Sequence, residues 1–346
     1  MRLVISLLAA ANFLLAQPDP ALWRFVHPDA KAVIGIDWKQ IYHSQASAIM
    51  HEKLQDLPIP VPGIQFLNDV ERVILSSPGN KDPNSQSEPP VLICVRGHFN
   101  QEEVGKALAD TGAKRQMYGD VPVYRPQSKS DRDMAFALLD ERTILIGDAH
   151  SIFEGIERKE WKPASASAIV SRAINLESAY DFWAVITTPG ALANQKVMSM
   201  FPGSELAEEA EGFELGVSLK DGMSLNLGLD TRTEDGAKKL SAQISKALKL
   251  SAKDKPENPV VADLQKKMKI AVEKRSISMT LHLSKEEFEK SARLFDESRK
   301  KTQATASSAA DPAVQLRLLR PQPKPEKQVI RIDGLDDGPR EVPLKP

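Results

Sequence analysis

From its amino end the chain runs through one unbroken apolar stretch and then changes to short alternating segments. Residues 3–16 are uncharged and mostly apolar behind Met1-Arg2, and Gln17-Pro18-Asp19-Pro20 is polar and extended. One positive charge, an apolar run and a small residue before a polar segment follow the order of a secretory signal. The run is about fourteen residues long, short of the roughly 20 that a membrane span needs. Cleavage after Ala16 is therefore expected. No cysteine follows the run and no twin arginines precede it, so neither a lipid anchor nor export of a folded chain is expected.

Past the signal, short apolar runs predict strands, and three- and four-residue spacings predict helices. Residues 32–36 read as a strand, and Asp37 is placed to cap a helix over 39–54. Strands follow over 70–76 and 90–98, joined by the polar, turn-rich segment 78–87. Asn100-Gln101-Glu102-Glu103 opens a helix whose Val104, Ala107 and Leu108 share a face, and Gly112 closes it. Strands over 122–124, 134–139 and 143–146 come next, the last two joined by Asp140-Glu141-Arg142, and then a helix over 149–158.

From Tyr180 the same order returns. Residues 182–186 read as a strand, and Thr188-Pro189 as the start of a helix. Segments 213–219 and 224–229 form a hairpin around Lys220-Asp221-Gly222. A helix runs from about 231 to 250, a second hairpin pairs 269–273 with 276–283, and Ser284-Lys285-Glu286-Glu287 is a capping box for a helix to about 300. Period-two alternation in 224–229 and 276–281 marks antiparallel strands with one face buried.

The expected fold class is therefore α+β: two similar β-α-β-β-α-β-β-α units with mainly antiparallel sheets covered by helices. The expected organisation is a signal peptide over 1–16, a first unit over 17–162, a connector over 163–178 and a second unit over 179–301. A short helix is expected over 169–174 within the connector. Residues 302–346 form a tail, first Ala/Ser/Thr-rich and then Pro-rich, ending in a short alternating strand at Val329, Ile330, Arg331 and Ile332. Those four residues are the candidate partner element, able to add a strand to another sheet edge, but a tail that docks on its own domain or stays disordered is the preferred expectation.

Composition narrows the function classes. With 46 Lys+Arg against 47 Asp+Glu, the chain has no overall bias towards nucleic acid or an anionic membrane. Aromatic residues make up 5% of it, which weighs against sugar stacking. Cys94 is the single cysteine, inside the apolar run 91–95, so neither an internal disulfide nor a thiolate-rich metal site is expected. A buried, inert thiol is expected there.

Candidate chemistry is sparse. No glycine-rich dinucleotide fingerprint, P-loop or Gly-x-Ser-x-Gly elbow occurs. His51-Glu52 lacks a second histidine four residues on, and His43 lies eight positions from His51, too far for one metal ion. His27, His43, His51, His98, His150 and His282 are expected on the surface. Asp37, Asp140 and Asp148 sit at strand ends, where catalytic acids occur but where caps and turns equally need them. Glu205, Glu208, Glu209 and Glu211 read as a solvated helix face, since a calcium loop would need alternating ligands and a turn glycine. Met198, Met200, Phe201 and Leu206 read as core. No catalytic, cofactor-binding or metal-binding residue is assigned, and no cofactor is expected.

Val26-His27-Pro28-Asp29-Ala30 ahead of a strand ending in Asp37, together with the tail 329–341, resembles uncharacterised exported bacterial proteins with two similar α+β halves. That resemblance implies no activity. The expected function is an exported, non-enzymatic binding or scaffold protein, periplasmic or secreted. The alternatives are a hydrolase with a carboxylate site between the halves and a carrier of an apolar ligand, distinguished by what lies where the halves meet.

Overall fold

The strands expected from alternation form, and those of both halves join a single sheet. The structure, a computed structural model, describes residues 20–44, 47, 64–80, 82, 89–127, 134–160, 167–187, 209–254, 263–264, 266–294, 329–332 and 340–343. The signal segment, most of the first expected helix, the helix expected after Thr188-Pro189, the glutamates Glu205 and Glu208, the Met198–Leu206 cluster and most of the tail lie outside the described residues. The chain divides into two compact units, Met1–Leu294 and Phe295–Pro346.

In the first unit, α1 (Pro20–Trp23) leads into β1 (Ala32–Asp37), α2 (Trp38–Tyr42), β2 (Val70–Ser77), β3 (Leu92–Gly97) and α3 (Gln101–Asp110). Then come β4 (Lys114–Tyr118), β5 (Val121–Arg125), β6 (Met134–Asp140), β7 (Thr143–Asp148), α4 (Ala149–Glu157) and α5 (Ala168–Ala179). The remainder is β8 (Phe182–Ile186), β9 (Ala210–Ser218), β10 (Met223–Thr231), α6 (Glu234–Asp254), β11 (Lys269–Glu273), β12 (Ser276–Leu283) and a helix, α7, over 285–294. The twelve strands are ordered β11-β12-β10-β9-β8-β1-β2-β3-β7-β6-β5-β4, and every pairing is antiparallel. The fold class is thus α+β with one large antiparallel sheet. Between β1 and β8, Gly35 stands opposite Trp183, so the sheet is continuous through its middle.

Caps and turns fall where the sequence places them. Asp37 accepts the Gln40 amide at 2.9 Å, Asn100 accepts those of Glu102 and Glu103, and Asp148 accepts that of Ser151 at 2.9 Å. Ser284 and Glu287 exchange the two bonds of a capping box. Gly222 has φ +94° in the β9–β10 turn, where an added Cβ would lie 2.2 Å from the Leu283 carbonyl oxygen.

Two elements differ from expectation. β4 forms although Lys114-Arg115-Gln116-Met117-Tyr118 has no apolar alternation, because an edge strand is held by its backbone ladder to β5 alone. The connector holds a full helix, α5, whose buried Ile169 and Ala173 pack on the sheet.

Cross-strand partners share a face of the sheet. On one face Leu92, Cys94, Leu145, Ala137 and Val123 run on from Val33, Ile74, Trp183 and Val185. Leu22, Phe25 and Val26 cover them, with Ile152 and Ile156 of α4 and Ile169 and Ala173 of α5. On the opposite face α3 lays Val104 and Leu108 over Val95, Leu138 and Ile144, while α6 lays Ala237, Leu240 and Ile244 near Leu229, Ile277 and Met279. A Cβ on Gly35 would lie 2.1 Å from the Trp183 ring, so glycine is what lets that indole cross β1. Trp183 then stacks on Trp23, with ring centroids 5.7 Å apart. Burial of a ring of this size is worth about 3 kcal/mol.

In the second unit β13 (Val329–Ile332) pairs antiparallel with β14 (Arg340–Pro343), Val329 opposite Pro343 and Ile332 opposite Arg340. The expected tail strand therefore has a partner within its own hairpin.

Candidate functional site

The alternation of β12 separates two chemistries. Ile277, Met279, Leu281 and Leu283 are buried, while Ser276, Ser278, Thr280 and His282 are exposed on the other face. Register extends that polar row onto β10: Ser224 opposes His282, Asn226 opposes Thr280, and Asp230 opposes Ser276. Ser224 Oγ and His282 Nδ1 are 2.9 Å apart.

α5 supplies one wall. Gly216 in β9 leaves room for Tyr180, since a Cβ there would sit 2.4 Å from the ring; the Tyr180 hydroxyl accepts from Asn226 Nδ2 at 3.0 Å. Arg172 binds the carboxylates of Glu214 and Asp230, and Asp230 also accepts from Ser276 Oγ at 2.7 Å. Burial opposes the Arg172 charge, but its bonds to Glu214 and then Asp230 prevail and raise its pKa. On the far side Lys267 pairs with Glu287 of α7. Together Tyr180, Ser224, Asn226, Thr280, His282 and the Lys267–Glu287 pair line an open groove of about 600 Å³. It offers hydroxyls, an amide, an imidazole and ammonium groups on a rigid strand floor, which suits hydrogen bonding to a polar ligand.

A smaller recess lies where β1, β2 and β8 meet, also against Tyr180. It holds about 10 Å³, lined by Gly35, Asp37, Arg72, Glu177 and Trp183 among others. Arg72 bridges its two carboxylates, at 3.9 Å from Asp37 and 3.5 Å from Glu177, and Glu177 also accepts from Trp23 Nε1 at 2.9 Å. Space for one water is the limit of such a volume.

His27 departs from the surface position expected of it. It is 3% exposed, with Nδ1 2.9 Å from Ser76 Oγ and Nε2 3.1 Å from Ser151 Oγ. Ser151 Oγ donates to Asp148 at 2.7 Å, and Asp148 also accepts the Val91 amide at 3.1 Å. A hydroxyl has one proton to give, so Ser151 accepts from Nε2–H, and in the neutral ring Nδ1 accepts from Ser76. A pKa held below 6.5 leaves the imidazole neutral at pH 7. Burial lowers its pKa, and Arg158 nearby lowers it further. Burial works against the Asp148 carboxylate, but bonds from Ser151 and Val91 prevail and lower its pKa. The serine stands between histidine and aspartate and donates its hydroxyl hydrogen to the aspartate rather than to the imidazole, the reverse of an activated nucleophile. Its burial has a sequence cause: Val26-His27-Pro28 lies beside an apolar segment that packs on the sheet.

The remaining candidates stand apart. Asp140 accepts the Arg142 amide at 2.7 Å in the β6–β7 turn. His98 lies 3.4 Å from Glu71, His150 lies 3.2 Å from Glu154, and Glu211 lies 3.8 Å from Arg275. Cys94 is buried at 2% exposure, as its apolar run implies. Among the described residues no three His, Cys, Asp or Glu converge as metal ligands, and no helix is long and apolar enough to cross a membrane. The sequence carried one unread signal for the groove: the polar members of the 224–230 and 276–282 alternations fall on one face.

The molecule is thus an α+β protein with a large antiparallel sheet, helices on both faces and an open groove on one. No family model and no curated protein matches the chain. Solved structures that resemble it include crystal forms I and III of TP0453. They share 10% and 9% identity with it, cover 82% of this chain and 98% and 99% of their own, and each has a TM-score of 0.51. At that identity the likeness extends to the fold alone.

Proposed function

We propose that this is an exported, non-enzymatic binding or scaffold protein whose ligand surface is the polar face of β10 and β12. The observation that carries this reading is the open groove over Ser224, Asn226, Thr280 and His282, floored by strands and walled by Tyr180. Export rests on the amino-terminal segment alone. An internal duplication is part of the proposal: outward from the middle of the sheet, β1-β2-β3-β7-β6 is matched by β8-β9-β10-β12-β11, and α3 and α6 each follow the third strand of their half. The tail residues Val329, Ile330, Arg331 and Ile332 are proposed as a further contact to a protein partner, on the strength of their strand-forming alternation.

The hydrolase alternative needs two working carboxylates where the halves meet. Asp37 and Glu177 are there, but Arg72 spans them in a recess that would admit no substrate. The apolar-carrier alternative needs an enclosed cavity, whereas the larger of the two described concavities is open.

The test uses the mature protein recovered from the exporting cell, whose mass should start at Gln17. Co-sedimentation with washed envelopes of that cell is compared for the wild type and Thr280→Trp, which fills the groove from an exposed position. Loss of sedimentation with an unchanged melting temperature is expected. Equal sedimentation of both would refute the groove as the ligand surface.

A further inference from the structure

A sheet of this length has two edges, and they differ. At one end β4 exposes Lys114, Arg115, Gln116 and Met117, and at the other β11 exposes Lys269, Ala271, Val272 and Glu273. Met117, 54% exposed, and Val272, 40% exposed, are the exposed large apolar residues among those described. An open edge is a row of backbone donors and acceptors ready for another strand, and proteins guard it with like charges. β4 is guarded in this way by Lys114 and Arg115. β11 carries opposite charges at its two ends.

We infer that β11 is a self-pairing edge, and that two copies of this protein join through it into one continuous antiparallel sheet. A twofold axis through Ala271, perpendicular to the sheet, sets Lys269 opposite Glu273 of the second copy and Ile270 opposite its Val272, each pair occurring twice. The axis preserves the faces of the sheet. Lys269, Ala271 and Glu273 share the face of Thr280, and Ile270 and Val272 share that of Met279, which α6 covers. Charged pairs thus meet on the polar side, and Val272 is covered on the apolar one. Among the described residues neither Lys269 nor Glu273 has an ion-pair partner within the chain, so both are available. The same pairing attempted at β4 about Gln116 sets Lys114 against Tyr118 and Arg115 against Met117, with no charge match. An interface in which the same patch serves both copies closes on itself as a dimer.

The contact is five residues a side and therefore weak, so the full mature chain is measured by sedimentation equilibrium up to about 100 μM. A monomer–dimer equilibrium is expected. Lys269→Glu sets Glu against Glu at both pairs and should weaken dimerisation about tenfold or more. Adding Glu273→Lys to it exchanges the two charges and should restore the wild-type constant to within about threefold. Melting temperature and circular dichroism confirm that all three chains fold alike. A wild type that stays monomeric, an exchanged variant no better than Lys269→Glu, or growth beyond dimers, which would mark pairing of β11 with β4, each overturns the inference.

Discussion

Replacing His27 with phenylalanine tests the buried polar network, because the ring keeps its shape while both nitrogens are lost. Each serine keeps one bond, but the buried Ser76 hydroxyl loses the acceptor of its proton. Ser76 Oγ still accepts the residue 27 amide, at 3.2 Å in the wild type, and Ser151 Oγ still donates to Asp148. The cost at neutral pH is therefore two neutral hydrogen bonds and the unpaired Ser76 proton, about 3 kcal/mol in all.

The pH dependence is the sharper half of this prediction. Burial, and then Arg158, hold the folded pKa of His27 below the 6.5 of an exposed imidazole. Below that value the unfolded chain binds a proton that the folded chain refuses. The stability supplied by the neutral imidazole is thus complete above pH 6.5 and is lost as pH falls beneath it, by up to about 1.4 kcal/mol per pH unit, until the lowered folded pKa is reached. Urea unfolding of wild type and variant at about pH 7.5 and about pH 5.5 reads both effects. The variant should trail by about 3 kcal/mol at the higher pH and by measurably less at the lower. A deficit that stays constant or widens on acidification would refute the neutral, buried assignment.

Gly216→Ala places a methyl group 2.4 Å from the Tyr180 ring, so Tyr180 must leave and its bond to Asn226 is lost. Destabilisation of about 1–3 kcal/mol by urea unfolding is expected, together with loss of envelope sedimentation. Cys94→Ser puts a hydroxyl among Leu92, Ile74 and Leu145 and should cost about 1–3 kcal/mol. In the wild type this thiol should react with a thiol reagent only at the rate of unfolding.

Much of the fold is legible in the chain because caps, turns and alternation are local. Asp37, Asn100, Asp148 and Ser284 act within three residues of themselves, so their roles can be read without knowing the rest of the structure. β4 was hidden because an edge strand needs no apolar alternation, and what makes Lys114–Tyr118 a strand is β5 beside it. His27 was hidden because its partners Ser76 and Ser151 are 49 and 124 residues away. The groove falls between these cases. Its floor is visible as the polar half of two alternating strands, but Tyr180 reaches it from the end of a helix that alternation cannot place over the sheet.

The position of that groove follows from an asymmetry between corresponding strands. On one face of β3, β7 and β6 the inward residues are Leu92, Cys94, Leu145 and Ala137, and α4 packs on them through Ile152 and Ile156. The strands in the same places on the other side of the middle, β10 and β12, present Ser224, Asn226, Thr280 and His282 on that face instead. Burying those groups under an apolar helix face would leave hydroxyls, an amide and an imidazole without partners, at about 1–3 kcal/mol each. The apolar partner residues on the same strands, Ile277 and Met279, already have their cover in the cluster with α6. The half of the sheet holding β10 and β12 therefore gains nothing from a second apolar layer on its polar face. The residues that exclude such a layer are the ones able to hold a polar ligand, so one substitution pattern both opens the surface and equips it.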